Sequence, residues 1–279
     1  MTPLEFVLIA FGISVGAGLL GALLGLGGGV IVIPVLVLLL KVDIRYAIGA
    51  SIVSVIATSS GAAAAYVRER MTNLRLAMFL EVATASGALT GAYVAGVVNA
   101  RWLHLVFGAI LALSSVAMLR GGGGGLGRNV APDSLADRLR LHGSYFDEAL
   151  GREVEYRVTR TRLGFALMYV AGIVSGLLGI GSGILKVPAM DLAMRMPMKA
   201  STATSNFMIG VTAGAGAGVY FMRGDIQPFV AAPVAAGVLL GAMVGARLLG
   251  RAPGWLVRRV FVVVLLWVSV EMFVKGLRG

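Results

Sequence analysis

Of the 279 residues, 58% are apolar and 13% charged, and the mean hydropathy is +0.91, which excludes an ordinary soluble domain and marks an integral membrane protein. Cysteine is absent, so disulfides, thiolate metal sites and a cysteine nucleophile are excluded as well. The formal charge of +11 does not point to nucleic acid, because its carriers lie in short loops and a central hydrophilic linker and form no aromatic-interleaved patch.

Apolar stretches close to the ~20 residues that span a bilayer as a helix cover 4–24, 46–67, 74–98, 102–119, 163–180, 200–222, 227–246 and 256–274. They lack the two-residue alternation of a membrane β-barrel. The first has no basic flank at its start and runs straight into repeated material, so it is read as retained structure and not as a cleaved signal peptide. That repeat is the main organising feature: residues 16–120 align without a gap with 170–274, at an offset of 154. LLGLGGGVIVIP at 23–34 falls on LLGIGSGILKVP at 177–188, and Ser51, Thr58, Tyr66, Gly87 and Gly91 fall on Ser205, Thr212, Tyr220, Gly241 and Gly245. Two such halves in an apolar chain are the signature of a secondary transporter with its substrate held where they meet.

Arginines in equivalent loops indicate how the halves are oriented, since basic residues collect on cytoplasmic loops. The first-half loop at 68–75 carries Arg68, Arg70 and Arg75, whereas its partner has Arg223 offset by Asp225. Conversely, Arg101 stands alone where the partner region has Arg247, Arg251, Arg258 and Arg259. The bias changes sides, which predicts inverted repeats with both termini outside and the linker in the cytoplasm. Inversion demands an odd number of crossings per half, and four long helices do not supply it. Residues 4–40 and 163–196 are too long for one simple helix at about 1.5 Å per residue. Each is interrupted by glycines, at Gly27-Gly28-Gly29 and at Gly181-Ser182-Gly183, so each is expected to fold as a broken or re-entrant hairpin. The expectation is an all-α membrane protein of about five segments per half: a first repeat at 1–120, a linker at 121–162 and a second repeat at 163–279. Trp102, Trp255 and Trp267 read as interface or lipid-facing anchors.

In the linker, Gly121–Gly125 predict a flexible exit from the membrane, 134–141 a short amphipathic helix, and the alternation at 153–158 a strand after a turn near Gly151. Its mixed charge suits a cytoplasmic connector, with regulation or partner binding as the alternative.

The segments LLGLGGGVIVIPVL at 23–36, HGSYFDEALGREVEYRV at 142–158 and the run at 175–226, together with the two-half layout, resemble the TauE/SafE sulfite exporter family over nearly the whole chain. The resemblance implies export of sulfite or a related small sulfur oxyanion or organosulfonate across the membrane of a prokaryotic cell, without ATP and without a cofactor.

Read from the residues themselves, a small, highly charged anion needs hydrogen-bond donors and positive potential, and helix N-termini supply both. The backbone at Gly27, Gly28, Gly29 and Val30, and at Gly181, Ser182, Gly183 and Ile184, precedes short apolar helices and is the first candidate site; tight turns and close packing are the plainer reading. A nucleotide phosphate loop is disfavoured, as no strand precedes the glycines and no Gly-Lys-Ser/Thr follows. Lys186 stands in an apolar helix where the repeat has Val32. Substrate contact, snorkelling to an interface, or pairing with Asp191 or Glu81 are its alternatives. Ser51, Ser54 and Thr58 share one helix face, and Thr204, Ser205 and Asn206 mark the matching helix; all are substrate-contact candidates against a packing alternative. Glu81, opposite Ala235 in the repeat, is a candidate proton-coupling group, or else a partner for an arginine near Arg75. His104 and His142 lie far apart and support neither a metal site nor catalysis. The Gly87-x-x-x-Gly91 and Gly241-x-x-x-Gly245 motifs permit close helix contact within the chain or in a homodimer. The favoured function is a secondary carrier of a sulfur oxyanion; a transporter of another small anion or a non-transporting membrane scaffold is the alternative, and no residue set supports an enzyme.

Overall fold

The computed structural model describes residues 2–68, 71–96, 98, 100–120, 133–148, 150–251 and 253–278. Arg70 and the glycine run Gly121–Gly125 lie outside the described residues, as do the side chains of Tyr66, Arg68, His104, Arg251 and Arg258. Each half contributes five helical segments in the order long, short, long, long, long. In the first half these are α1 (Pro3–Leu24), α2 (Gly29–Leu38), α3 (Ile44–Arg68), α4 (Leu74–Ala95) and α5 (Ala100–Arg120). After the linker come α7 (Thr161–Leu178), α8 (Gly183–Pro188) continued by a π turn at Ala189–Ala193, α9 (Met198–Met222), α10 (Pro228–Arg251) and α11 (Gly254–Arg278). Among the described residues, four helices are long and apolar enough to cross a membrane: Pro3–Leu24, Leu74–Ala95, Thr161–Leu178 and Pro228–Leu249. The protein is an integral membrane protein built of helices.

Local sequence sets where the helices start and stop. Thr2 and Glu5 form a capping box ahead of Pro3, with Thr2 N–H on Glu5 Oε2 at 2.8 Å and Glu5 N–H on Thr2 Oγ1 at 3.3 Å. α1 and α7 end at Gly25 and Gly179, whose φ of +73° and +65° are the left-handed conformation that closes a helix. The chain then turns through Gly27 (φ +77°) and Gly28 (φ +74°), and in the other half through Gly181 (φ +74°) and Ser182 (φ +60°). A Cβ on Gly29 would lie 2.3 Å from Ser51 Oγ, and one on Gly28 would lie 3.2 Å from Thr58 Oγ1. Those partners sit near the middle of α3, a helix of 25 residues and therefore about 37 Å long. The first turn is thus held at mid-length of the bundle, and α2, at 10 residues and about 15 Å, is too short to cross a bilayer alone.

The halves are interlocked. Glycines of α4 lie on α7: a Cβ on Gly87 would be 2.2 Å from Tyr169 O and one on Gly91 would be 2.0 Å from Ile173 O. On the other side, a Cβ on Gly241 would be 1.9 Å from Val15 O and one on Gly245 would be 2.3 Å from Leu19 O, so α10 lies equally close on α1. Both Gly-x-x-x-Gly motifs are therefore buried within the chain, which lets van der Waals contact between backbones join the halves where no hydrophobic driving force acts in lipid. Trp102, Trp255 and Trp267 remain exposed.

From Asp133 the described part of the linker forms α6 (Ser134–Arg138), then a hairpin of β1 (Gly143–Asp147) and β2 (Arg152–Tyr156) in antiparallel register. The short helix and strand expected there are present, each ending earlier than the sequence pattern suggests. Asp133 Oδ1 caps α6, and Asp133 Oδ2 accepts the Thr161 N–H at 2.6 Å, tying the linker to the start of α7. Burial works against ionisation of Asp133, but the Thr161 and α6 amide hydrogen bonds outweigh it and hold its carboxyl below the ordinary range. Asn73 Nδ2 donates to Leu141 O at 2.8 Å, and Lys199 Nζ donates to Asp147 Oδ1 at 2.7 Å with both side chains buried. Tyr145, Val154 and Val158 complete an apolar seal against Leu76, Met190, Met194 and Met196.

Two predictions follow from this packing. Gly91→Leu, which forces a side chain into the α7 backbone, is expected to cost about 1–3 kcal/mol and lower the melting temperature of the purified protein, whereas Gly214→Ala, with open space around it, leaves it unchanged. Lys199→Met strands a buried carboxylate and is expected to destabilise by about 3–5 kcal/mol, more than the Lys199→Met/Asp147→Leu pair does; denaturant-melting of the three forms checks the order.

Candidate functional site

The two glycine turns meet at the centre of the molecule. Ser51 Oγ donates to Gly179 O at 2.9 Å, and Ser205 Oγ donates to Gly25 O at 2.9 Å, so each half uses the same serine to satisfy the terminal carbonyl of the other half's broken helix. Asn206 Nδ2 adds a bond to Ala22 O at 2.7 Å. Gly27 and Gly181 both press on the same pair of side chains, Val55 and Ile209, which are themselves 154 residues apart. A Cβ on Gly183 would lie 2.1 Å from Gly25 O, so the turns touch backbone to backbone.

Several of the candidate hydroxyls are therefore occupied structurally. Ser54 Oγ donates to Ser51 O, Thr58 Oγ1 to Ser54 O and Ser182 Oγ to Gly181 O, all fully buried. Thr204 Oγ1 accepts the Asn73 N–H at 3.1 Å and so fixes the α3–α4 loop on α9. The buried amides of Gly29, Val30, Gly183 and Ile184 stand in the first turns of α2 and α8, where a helix has no acceptor of its own to offer.

Lys186 and Glu81 come together. Lys186 is fully buried; its Nζ donates to Thr212 Oγ1 and lies 3.6 Å from Glu81 Oε2, while Thr212 Oγ1 donates to Glu81 Oε1 at 2.6 Å. Neither an interface nor Asp191 is needed to account for Lys186, and Glu81 faces this lysine and not an arginine near Arg75. The physical reason is depth: Glu81 points inward from the middle of α4, where the nearest cation is the one that α8 places at the same level. Glu81 Oε2 makes no hydrogen bond within 3.5 Å, and its polar neighbour is the Lys186 ammonium at 3.6 Å.

A narrow inner pocket adjoins this group. It is lined by Ile52, Ser175, Gly176, Gly179, Gly181, Thr212, Ala213, Gly216 and Tyr220. Gly181 and Thr212 thus connect the second glycine turn and the Lys186–Thr212–Glu81 chain to one space, whereas Gly27, Gly28, Gly29, Val30, Ser51, Ser54 and Thr58 do not line it. Thr212 and Tyr220 are what the residue-by-residue reading undervalued. The available signal was the repeat, which carries threonine and tyrosine at both equivalent pairs, Thr58 with Thr212 and Tyr66 with Tyr220.

An uncompensated cation in such a space attracts an anion, and here the cation is already balanced by a carboxylate. The arrangement can therefore exchange one anionic partner of Lys186 for another, which is a binding chemistry.

Comparison with known proteins gives the same class. The family described as Sulfite exporter TauE/SafE matches residues 10–272. A "Probable membrane transporter protein YunE" of Bacillus subtilis is 26% identical over 97% of this chain and 98% of its own length. A "Probable membrane transporter protein" of Xylella fastidiosa is 28% identical over 92% of this chain and 93% of its own. A "Sulfite exporter TauE/SafE family protein 6" of Arabidopsis thaliana is 32% identical over 39% of this chain and 26% of its own. No solved structure matches. With broken helices meeting at mid-depth around a buried Lys–Glu pair, and a match covering nearly its whole length, the chain belongs to the sulfite exporter TauE/SafE family of membrane transporters.

Proposed function

We propose that this protein is a secondary transporter that exports sulfite or a related small sulfur oxyanion or organosulfonate across the cell membrane of a prokaryote. The observation that carries this reading is the fully buried Lys186, held by Thr212 and Glu81 beside a pocket at the meeting point of the two halves. A cation kept at that depth is costly and is retained where it serves a substrate or ion pathway. The printed name of the plant relative, a sulfite exporter, favours a sulfur oxyanion as the cargo.

In this mechanism the anion reaches Lys186 along the inner pocket and replaces Glu81 as its partner. The Gly181–Ile184 backbone supplies further donors from the side of the second turn, and Gly27–Val30 does so when the first turn is uncovered. Glu81, displaced as that partner, is the group through which anion and proton movement are coupled in this reading.

Inverted repeats working by alternating access are supported by the directions of equivalent helices. Ser59, late in α3, donates to Asn206 O, early in α9, while Ile52, early in α3, shares a pocket with Ala213, late in α9. Equivalent helices thus cross antiparallel. Helices α3 and α4 also place the linker and the α1 end of the bundle at opposite ends, in keeping with outside termini, a cytoplasmic linker and re-entrant α1–α2 and α7–α8 hairpins.

Reconstituted vesicles loaded with sulfite, thiosulfate or a small sulfonate are expected to lose at least one of these faster than protein-free vesicles. Because Lys186→Ala strands the Glu81 carboxylate and is expected to destabilise the fold by about 3–5 kcal/mol, the deciding form is the Lys186→Met/Glu81→Gln pair, which keeps volume and removes both charges. It is expected to stay folded and to lose efflux; wild-type efflux from this form overturns the assignment of Lys186. In Glu81→Gln the response of efflux to an imposed pH difference is expected to vanish, read by the same assay with a pH-sensitive dye inside the vesicles.

A further inference from the structure

A second cavity, of about 260 Å³, lies at the end of the bundle away from the linker. It is lined by the start of α3 (Arg45, Ile48), the end of α4 (Ala95, Gly96), Leu177 of α7, and Tyr220, Arg223 and Asp225 at the end of α9. The linker is anchored instead at Asn73, Thr161 and Lys199, the starts of α4, α7 and α9. Since α4 and α9 have 22 and 25 residues, the cavity and the linker are separated by about 33–37 Å.

The charged lining is unequal. Arg223 is neutralised by Asp225, with Nη2 at 2.8 Å and Nε at 2.9 Å from Oδ2, and it also donates to Ala92 O at 3.1 Å. Arg45 is exposed and has no carboxylate partner among the described residues; its backbone N–H rests on Asp43 Oδ1. One positive charge therefore remains in the lining: Arg45 and Arg223 against Asp225.

Tyr220 lines both this cavity and the inner pocket. It is 2% exposed, its hydroxyl donates to Gly176 O at 2.6 Å and reaches Leu177 O at 3.2 Å, and the Arg223 guanidinium sits 4.4 Å over its ring. Beside it, Gly216 has open space where a side chain would stand, the nearest atom being Ala92 Cβ at 4.0 Å, whereas Gly176 is packed on the Ala88 carbonyl of α4. The Arg223 guanidinium covers one face of the ring and the α7 carbonyls hold its hydroxyl; a negative charge on Arg223 weakens the first of these holds.

We infer that this cavity is a vestibule that holds a small oxyanion on Arg45, and that Tyr220 is the gate between it and the inner pocket beside Lys186. The proposal takes its occupant from the anion-transport reading above. Arg45 concentrates the anion, Arg223 senses it, and Tyr220 releases its bonds to the last turn of α7 so that the ion passes along Gly216.

The chain has no cysteine, so single cysteines can be read without background. Ala95→Cys reports the vestibule and Ala213→Cys the inner pocket, in the full chain in phosphatidylcholine nanodiscs. Each is treated with anionic sulfonatoethyl methanethiosulfonate or cationic trimethylammonioethyl methanethiosulfonate, with rates taken relative to a small free thiol. At Ala95→Cys the anionic reagent is expected to be favoured about ten-fold, falling towards parity when Arg45→Gln is added, and methanesulfonate, an oxyanion inert towards these reagents, is expected to slow the reaction. At Ala213→Cys the reaction is expected to be slow, and to accelerate at least ten-fold with Tyr220→Ala and measurably with Tyr220→Phe, which keeps the ring and removes only its hydroxyl bonds. No reaction at Ala95→Cys, a charge preference that survives Arg45→Gln, or an Ala213→Cys rate indifferent to both Tyr220 changes overturns the inference. A wild-type chain that moves no anion in vesicles, while the Ala95→Cys form keeps the charge preference, sinks the transport reading and leaves the vestibule standing.

Discussion

A helix that stops halfway through an apolar layer leaves carbonyl oxygens with no water to meet them, and the rest of this structure is arranged around that problem. Each unsatisfied group there costs several kcal/mol, so a break is tolerable only where protein supplies the missing donors. Here the donors come from the opposite half. Ser51 serves Gly179 and Ser205 serves Gly25, at the same distance, and Asn206 adds Ala22. Because each break is satisfied by the other half, neither half is complete without its partner, which also explains why α4 lies on α7 and α1 on α10 at backbone contact.

The polar groups that satisfy the breaks come in equivalent pairs; the charges do not. Lys186 replaces Val32 and Glu81 replaces Ala235, so a near-symmetric frame carries one charged pair on one side of its centre. An ion pair at that depth is a poor way to gain stability, since apolar residues of equal volume would do as well or better. Its place beside the inner pocket, joined to it through Thr212, suits the exchange of anionic partners proposed above.

Much of the frame was legible in the sequence, because it is written in local terms. Apolar runs of span length, glycines at 25–29 and 179–183 and the offset of 154 give the helices, the breaks and their equivalence without any knowledge of contacts. Lys186 and Glu81 stood out singly for the same reason, as charges in apolar helices. What a one-dimensional pattern lacks is the identity of the neighbour: periodicity shows that a face is buried but not against what. So the sequence leaves Glu81 open between proton coupling, an arginine near Arg75 and the lysine 105 residues on, and only the fold puts that lysine at its depth; Ser54 and Thr58, equally polar in the sequence, spend their protons on their own helix. The linker, read as a connector, seals one end of the bundle through Lys199 and Asp147, a pairing that no spacing announces.

The position of that seal bears on how the molecule could move. The linker hairpin clamps the starts of α4, α7 and α9 and the methionines Met190, Met194 and Met196 in and after the π turn, while the cavity of about 260 Å³ opens at the other ends of α4 and α9. Between them Val55 and Ile209 fill the space under both glycine turns, and a contact so close cannot shear without first separating. In the proposed transport cycle the least costly displacement is therefore a rocking of the two interlocked pairs about this central contact. It would loosen the linker seal as it closes the opposite end, so that the buried Lys199–Asp147 pair sets how much free energy separates the two exposures.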